Sequence, residues 1–196
     1  MTVQRFIIAL TGASGVIYGI ELAKQLLDRG MEIHLIASEP ACLVLEQELD
    51  WRITANMEET FRSYLPYDNL LIYDNNDIGA RIASGSFVTD GMIVIPCTMA
   101  SLAAIAQGSA RNLIERAADV IIKEKRPLII VPRETPLSAI HLRNMLVLAD
   151  MGVSIIPAMP GFYHKPQTIQ DMVAFMVGKV MDAMGIEHNV FNRYDN

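Results

Sequence analysis

The feature that most constrains this chain is an alternation. Short, continuously apolar runs at "RFIIAL" (5–10), "MEIHLIA" (31–37), "GMIVIPC" (91–97), "PLIIVP" (127–132) and "VSIIP" (153–157) are separated by longer segments of mostly helical character. Unbroken apolar runs mark strands covered on both faces, and parallel strands need a crossover between them, usually a helix. The alternation therefore predicts an α/β fold with a parallel, doubly wound sheet. Helices are expected at about 15–29, 42–49, 101–108, 112–125, 137–152 and 168–185. Residues 52–90 carry the weakest pattern: "LLIYD" (70–74) reads as a short strand and "NNDIGARIASGSF" (75–87) as a polar loop. A chain of 196 residues suits one domain, here 1–185, with a polar tail at 186–196.

Composition narrows the setting. A hydrophobic fraction of 52% with 19% charged residues is rich for a monomer, which points to surface buried against other copies. The methionines of the last helix, Met172, Met176, Met181 and Met184, are expected to fill core or subunit contacts. A formal net charge of −6 argues against a general nucleic-acid binder. No apolar run approaches the roughly 18 residues of a membrane span, and the first apolar stretch is too brief for a secretory signal. Cys42 and Cys97 form no CxxC, so no disulfide scaffold is expected and a cytoplasmic location is the simplest reading.

In a doubly wound sheet, ligands sit beyond the carboxyl ends of the strands. Those ends read "TGASG" (11–15), "ASEP" (37–40), "PCTMAS" (96–101) and "PRETP" (132–136), all rich in hydroxyls, small residues or charge. Gly12, Gly15 and Gly19 follow neither the GxGxxG nor the Walker pattern, so the turn reads either as a phosphate cradle or as a plain tight turn. Glu39 fits a ribose contact or an ordinary helix start. Thr98 and Ser101 suit helix capping, which is compatible with a ligand at the same helix end. Arg133 and Glu134 read as a solvated ion pair, or as a phosphate ligand beside a proton carrier. The four histidines, His34, His141, His164 and His188, lack metal spacing, and His34 and His141 read as structural.

Taken together, "TGASGVIYG", "IASGSF", "NLIERAADVIIKEKRPLIIVPRETP" and "PAMPGFYHKPQTIQDMV" resemble the flavin prenyltransferases, the UbiX-like family, over residues 11 to about 180. The resemblance implies a Rossmann-like, flavodoxin-type three-layer sandwich assembling into a dodecamer. It implies transfer of a dimethylallyl group from dimethylallyl phosphate to N5 and C6 of reduced FMN, giving prenylated FMN for a partner UbiD-like decarboxylase. FMN contacts then fall on Gly12, Ala13, Ser14, Ser38, Thr98, Met99, Ala100, Ser101 and Arg133, with backbone N–H groups of the glycine turn expected at the phosphate side. Prenyl phosphate contacts fall on Tyr163 and Lys179. Ser14, Glu48, Arg116, Lys123 and Glu134 match positions implicated in the chemistry or in holding the phosphate, and Tyr194 stands near where some relatives carry a tryptophan.

The chemistry needs fixed positive charge and hydrogen-bond donors for the leaving phosphate, which Lys179, Arg116, Lys123 and Tyr163 are expected to supply, and a relay for the flavin C6 proton, which Glu134 matches. Glu48 and Ser14 are expected to position and polarise groups near N5. No DDxxD-type magnesium cluster occurs in the sequence, in keeping with the metal-independent route that the family implies. Flavin-dependent cysteine decarboxylases share features of "PCTMASLAAIAQG", but their PxMNxxMW-like clamp is replaced here by "PRETPLSAIHLRNM".

Overall fold

A computed structural model describes residues 3–193, so Tyr194 lies outside the described residues. Six strands, β1 (Arg5–Leu10), β2 (Glu32–Ala37), β3 (Leu70–Asp74), β4 (Gly91–Cys97), β5 (Leu128–Pro132) and β6 (Ser154–Ile155), form one sheet in the order β3-β2-β1-β4-β5-β6. Every pairing is parallel, with Ile8 opposite Leu35 on one side and Ile93 on the other. Among the described residues, seven α-helices cover it: α1 (Val16–Leu27), α2 (Glu39–Leu49), α3 (Met57–Tyr64), α4 (Met99–Ala106), α5 (Leu113–Lys123), α6 (Ala139–Asp150) and α7 (Ile169–Ala183). The result is a flavodoxin-like α/β sandwich.

Alternate side chains of one strand feed two separate cores, as the period-2 geometry of a strand requires. Phe6, Ile8 and Leu10 pack with Ile20 and Leu26 of α1, Leu45 of α2, Phe61 of α3 and Val177 of α7. Ile7 and Ala9 face Leu102 of α4, Ala117 and Ile121 of α5 and Leu148 of α6. Being buried on both faces is what made these strands unbroken apolar runs in the sequence.

Three elements differ from the sequence expectation. Helix α3 occupies part of the poorly patterned 52–90 region, capped by Asn56, whose side chain accepts the Glu59 N–H at 3.2 Å. Helix α2 begins at Glu39, three residues earlier than its apolar spacing suggests. Strand β6 pairs over only two residues. The methionine expectation divides: Met176 and Met181 are buried in the core, whereas α6 exposes four large apolar side chains, Ile140, Leu142, Leu146 and Val147. No helix among the described residues is long and apolar enough to cross a membrane.

Candidate active site

The sheet reverses its winding between β1 and β4, and a cleft of about 710 Å³ opens at this point beyond the carboxyl ends of β1 to β4. Gly12, Ser38, Thr98, Ala100 and Ser101 line it, together with Tyr73, Asn75 and Asn112. Ser38, Thr98 and Asn112 are the N-caps of α2, α4 and α5, so three helix N-termini converge on one cavity. Each brings unsatisfied backbone N–H groups and the positive end of its dipole, which together favour an anionic ligand.

Local chemistry explains why the chain folds this way. The Ser38 hydroxyl accepts the Ala41 N–H at 3.3 Å, and the Thr98 hydroxyl accepts the Ser101 N–H at 3.1 Å while donating to Ser101 Oγ at 3.0 Å. Asn112 Oδ1 accepts the Glu115 N–H at 3.0 Å. Glu115 itself is buried; burial acts to raise its pKa, but donation from the Arg111 N–H, the Ser109 hydroxyl and the Arg111 side chain outweighs it and holds the carboxyl below its ordinary value. Burial, reinforced by Glu46 and Glu39, pushes the Cys42 thiol up, so this cleft residue stays neutral.

Thr11 is the residue at this site that sequence reasoning missed. Its buried hydroxyl donates to the Pro96 carbonyl at 2.9 Å and accepts the Thr98 N–H at 2.8 Å, tying the end of β1 to the end of β4. Only its place directly before Gly12 hinted at a role. Thr11→Val keeps the shape but leaves the Thr98 N–H unpaired, while the Pro96 carbonyl retains only the Thr11 N–H at 3.2 Å, so it should destabilise the protein by about 1–2 kcal/mol. A melting curve indistinguishable from wild type would contradict that role.

The glycine turn is built differently from the expectation. A Cβ on Gly12 would stand 2.3 Å from Pro40 Cβ, so the glycine is required first by the packing of the turn on the start of α2. The Ala13 N–H is committed to the Thr11 carbonyl at 2.8 Å, and the Gly15 N–H to Glu48 Oε2 at 2.8 Å. Among the described residues, the Gly12 and Ser14 N–H groups make no hydrogen bond and are the ones left to a ligand. Glu48 therefore braces the turn, and its charge, after burial, raises the Tyr18 pKa beneath it.

The remaining sequence-derived positions scatter. Ser14 is exposed at the lip of the turn, Ala13 is buried, and the Met99 side chain lies in the core, outside the cleft lining. Arg133 and Glu134 are exposed just past β5, outside the cleft lining. The Arg133 N–H is held by the Cys97 carbonyl at 3.2 Å, and the Thr135 N–H donates to Glu134 Oε1 at 3.0 Å. Arg116 lies in the first turn of α5, paired with Asp119 at 3.0 Å. Lys123 pairs with Glu124 at the far end of that helix, about 10 Å along its axis from Arg116. Tyr163 is half-exposed and edge-on to Phe175 at 5.6 Å. Lys179 is on the outer side of α7, 3.8 Å from Asp182.

His34 is buried between Tyr73 Oη at 2.9 Å and Glu32 Oε1 at 2.8 Å, and His141 Nδ1 accepts the Ser138 N–H at 3.2 Å, so both are structural.

A doubly wound parallel sheet with an anion-favouring cleft at its reversal defines the nucleotide- and flavin-binding class of α/β proteins. Residues 1–181 match the family model described as Flavoprotein, and the chain belongs to that family and, within it, to the flavin prenyltransferases. Flavin prenyltransferase UbiX of Alkalihalophilus pseudofirmus is 47% identical over 95% of this chain and 94% of its own. The crystal structure of AnUbiX (PadA1), in complex with FMN and dimethylallyl pyrophosphate, superposes with a TM-score of 0.90 at 39% identity, covering 100% of this chain and 99% of that one. A dodecameric FMN-dependent UbiX-like decarboxylase from Escherichia coli O157:H7 gives 0.88 at 42% identity, covering 98% and 100%.

Proposed function

We propose that this protein transfers the dimethylallyl group of dimethylallyl phosphate to reduced FMN, joining it to N5 and C6, and that the prenylated FMN serves a UbiD-like decarboxylase. The observation that carries the reading is the convergence of the Ser38, Thr98 and Asn112 helix N-termini on one cleft of a size suited to a flavin mononucleotide. The donor set fits FMN: hydroxyls and backbone N–H groups at the anionic end, with Tyr73, Ile53 and Met57 offering ring and apolar surface. When bound, reduced FMN supplies the nucleophilic N5 and C6 that receive the allylic group.

The residues divide the work. The Gly12 and Ser14 N–H groups, Ser38, Thr98 and Ser101 hold the flavin, with the backbone of Ala13, Met99 and Ala100 shaping its bed. Arg133 reaches the flavin from the end of β5. Glu48 keeps the turn in place. Tyr163 and Lys179 bind the prenyl phosphate with charge-assisted hydrogen bonds. Arg116 and Lys123, two turns apart on α5, lie outside the lining of the cleft of their own chain, so in this reading they act on the site of neighbouring copies in a homo-oligomer, a dodecamer by analogy with the E. coli relative. Glu134 takes the proton released from C6. The protein works in the cytoplasm as one FMN-binding domain, 1–185, with the tail 186–196 appended.

Lys179→Ala tests the phosphate assignment. A charge-assisted bond to phosphate contributes about 1.5–3 kcal/mol, so the donor requirement should rise roughly ten- to hundredfold with FMN occupancy unchanged. Tyr163→Phe should act in the same direction more mildly. Titrations in which both variants lose FMN and keep normal donor affinity would overturn the assignment.

A further inference from the structure

On the outer side of α7 one carboxylate answers three partners. Asp182 accepts from Arg193 at 2.7 Å to Oδ1 and 3.4 Å to Oδ2, and from His188 Nε2 at 3.1 Å, while Lys179 Nζ stands 3.8 Å from Oδ2. His188 is buried, and its Nδ1 accepts the Val190 N–H at 3.3 Å, so in the neutral ring Nε2 carries the proton that Asp182 receives. Arg193 and His188 both belong to the segment that follows α7. That segment can lie so close because residue 178 is a glycine: a Cβ there would stand 2.4 Å from the Phe191 ring and 2.7 Å from His188 Cε1. Phe191 packs in turn on Phe175 at 5.1 Å, and Phe175 on Tyr163 at 5.6 Å. The strap formed by 186–193 thus touches the surroundings of both Lys179 and Tyr163.

The charges decide what this does. With the strap docked, Asp182 is held most closely by Arg193 at 2.7 Å and His188 at 3.1 Å, and the half-exposed Lys179 ammonium, at 3.8 Å, is the most distant of its three partners and shares one negative charge with Arg193. Remove Arg193, and Lys179, on the same helix face as Asp182 three residues away, becomes the remaining cation beside that carboxylate.

We propose that residues 186–193 are a positioning strap for the prenyl donor: by occupying Asp182 with Arg193 and His188, the strap keeps Lys179 available to phosphate. Asp182, His188 and Arg193 are positioning residues that act through Lys179. The inference rests on the assignment of Lys179 to the prenyl phosphate made above, and it adds a reason why that lysine is not consumed by its neighbour.

The test uses the full chain, saturating reduced FMN and varied dimethylallyl phosphate. An exposed Lys–Asp pair is modest in strength, so Arg193→Ala should raise the KM for the donor about three- to fivefold, with kcat and bound flavin unchanged. Arg193→Lys, which keeps the charge, should restore most of the loss. Adding Asp182→Asn to Arg193→Ala removes the competing carboxylate and should return KM to near the wild-type value. A merely structural role predicts the opposite, because the double variant loses more of the strap's contacts and stays at least as impaired. That outcome, or an unchanged KM in Arg193→Ala, overturns the proposal. Lys179→Ala run in parallel separates the two levels: a raised KM there with none in Arg193→Ala rejects the strap alone, and no change in Lys179→Ala rejects the phosphate assignment and the strap with it.

Discussion

Replacing Ile140 and Leu146 together with glutamate will reduce the assembly to monomers and abolish prenyl transfer. Helix α6 fully buries only Leu148, whereas Ile140 is 65% exposed, Leu146 61% and Leu142 53%. Leu142 and Leu146 share one face of the helix and Ile140 and Val147 a second, and apolar side chains exposed on two faces of one helix mark it as an association surface. Each large side chain buried there contributes about 1.5–3 kcal/mol, repeated at every copy, and a buried unpaired carboxylate adds a further cost. Neither side chain belongs to the two cores, so the monomer keeps its fold and its circular dichroism. Turnover should disappear with it if, as proposed, Arg116 and Lys123 serve the site of a neighbouring copy. Light scattering at micromolar concentration reads the mass. An intact assembly with full activity would remove both the interface and the shared site.

The second large effect belongs to Glu134. Glu134→Gln preserves the shape and the acceptor that holds the Thr135 N–H, but it cannot take a proton. General-base contributions run at about 10²–10⁴-fold, so ring closure in single-turnover spectroscopy should slow by at least about 10² while flavin content stays normal. The side chain is exposed just past β5, so its replacement disturbs no core packing. An unchanged rate of ring closure would assign the proton to another base, the released phosphate being the nearest in chemistry.

The sequence made the sheet legible because burial on both faces leaves no polar residue to interrupt a strand; β4 is buried at all seven positions. It made α3 illegible for the reverse reason. "MEETFRSY" buries only Thr60 and Phe61, so its pattern is that of a polar loop. Three of the four strand-end landmarks fall at the cleft, where Ser38 and Thr98 are caps and Ser101 gives Thr98 its N–H partner, whereas "PRETP" lies outside its lining. Two features had no sequence signal. One is the commitment of Glu48 to the Gly15 N–H, a contact across 33 residues. The other is the cluster around Asp182, where a buried histidine, a near-terminal arginine and a glycine on α7 meet only once the chain has turned back on its last helix. Contacts between chains are equally invisible in spacing, and Lys123 reads as a site residue only through family resemblance.

The most direct measurement is the mass of the flavin after the purified protein is incubated, without oxygen, with reduced FMN and dimethylallyl phosphate. The account requires a flavin heavier by one five-carbon prenyl unit, formed in proportion to protein-catalysed turnover, together with release of inorganic phosphate. Recovery of unmodified FMN, under conditions where the protein is folded, assembled and flavin-bound, would contradict it.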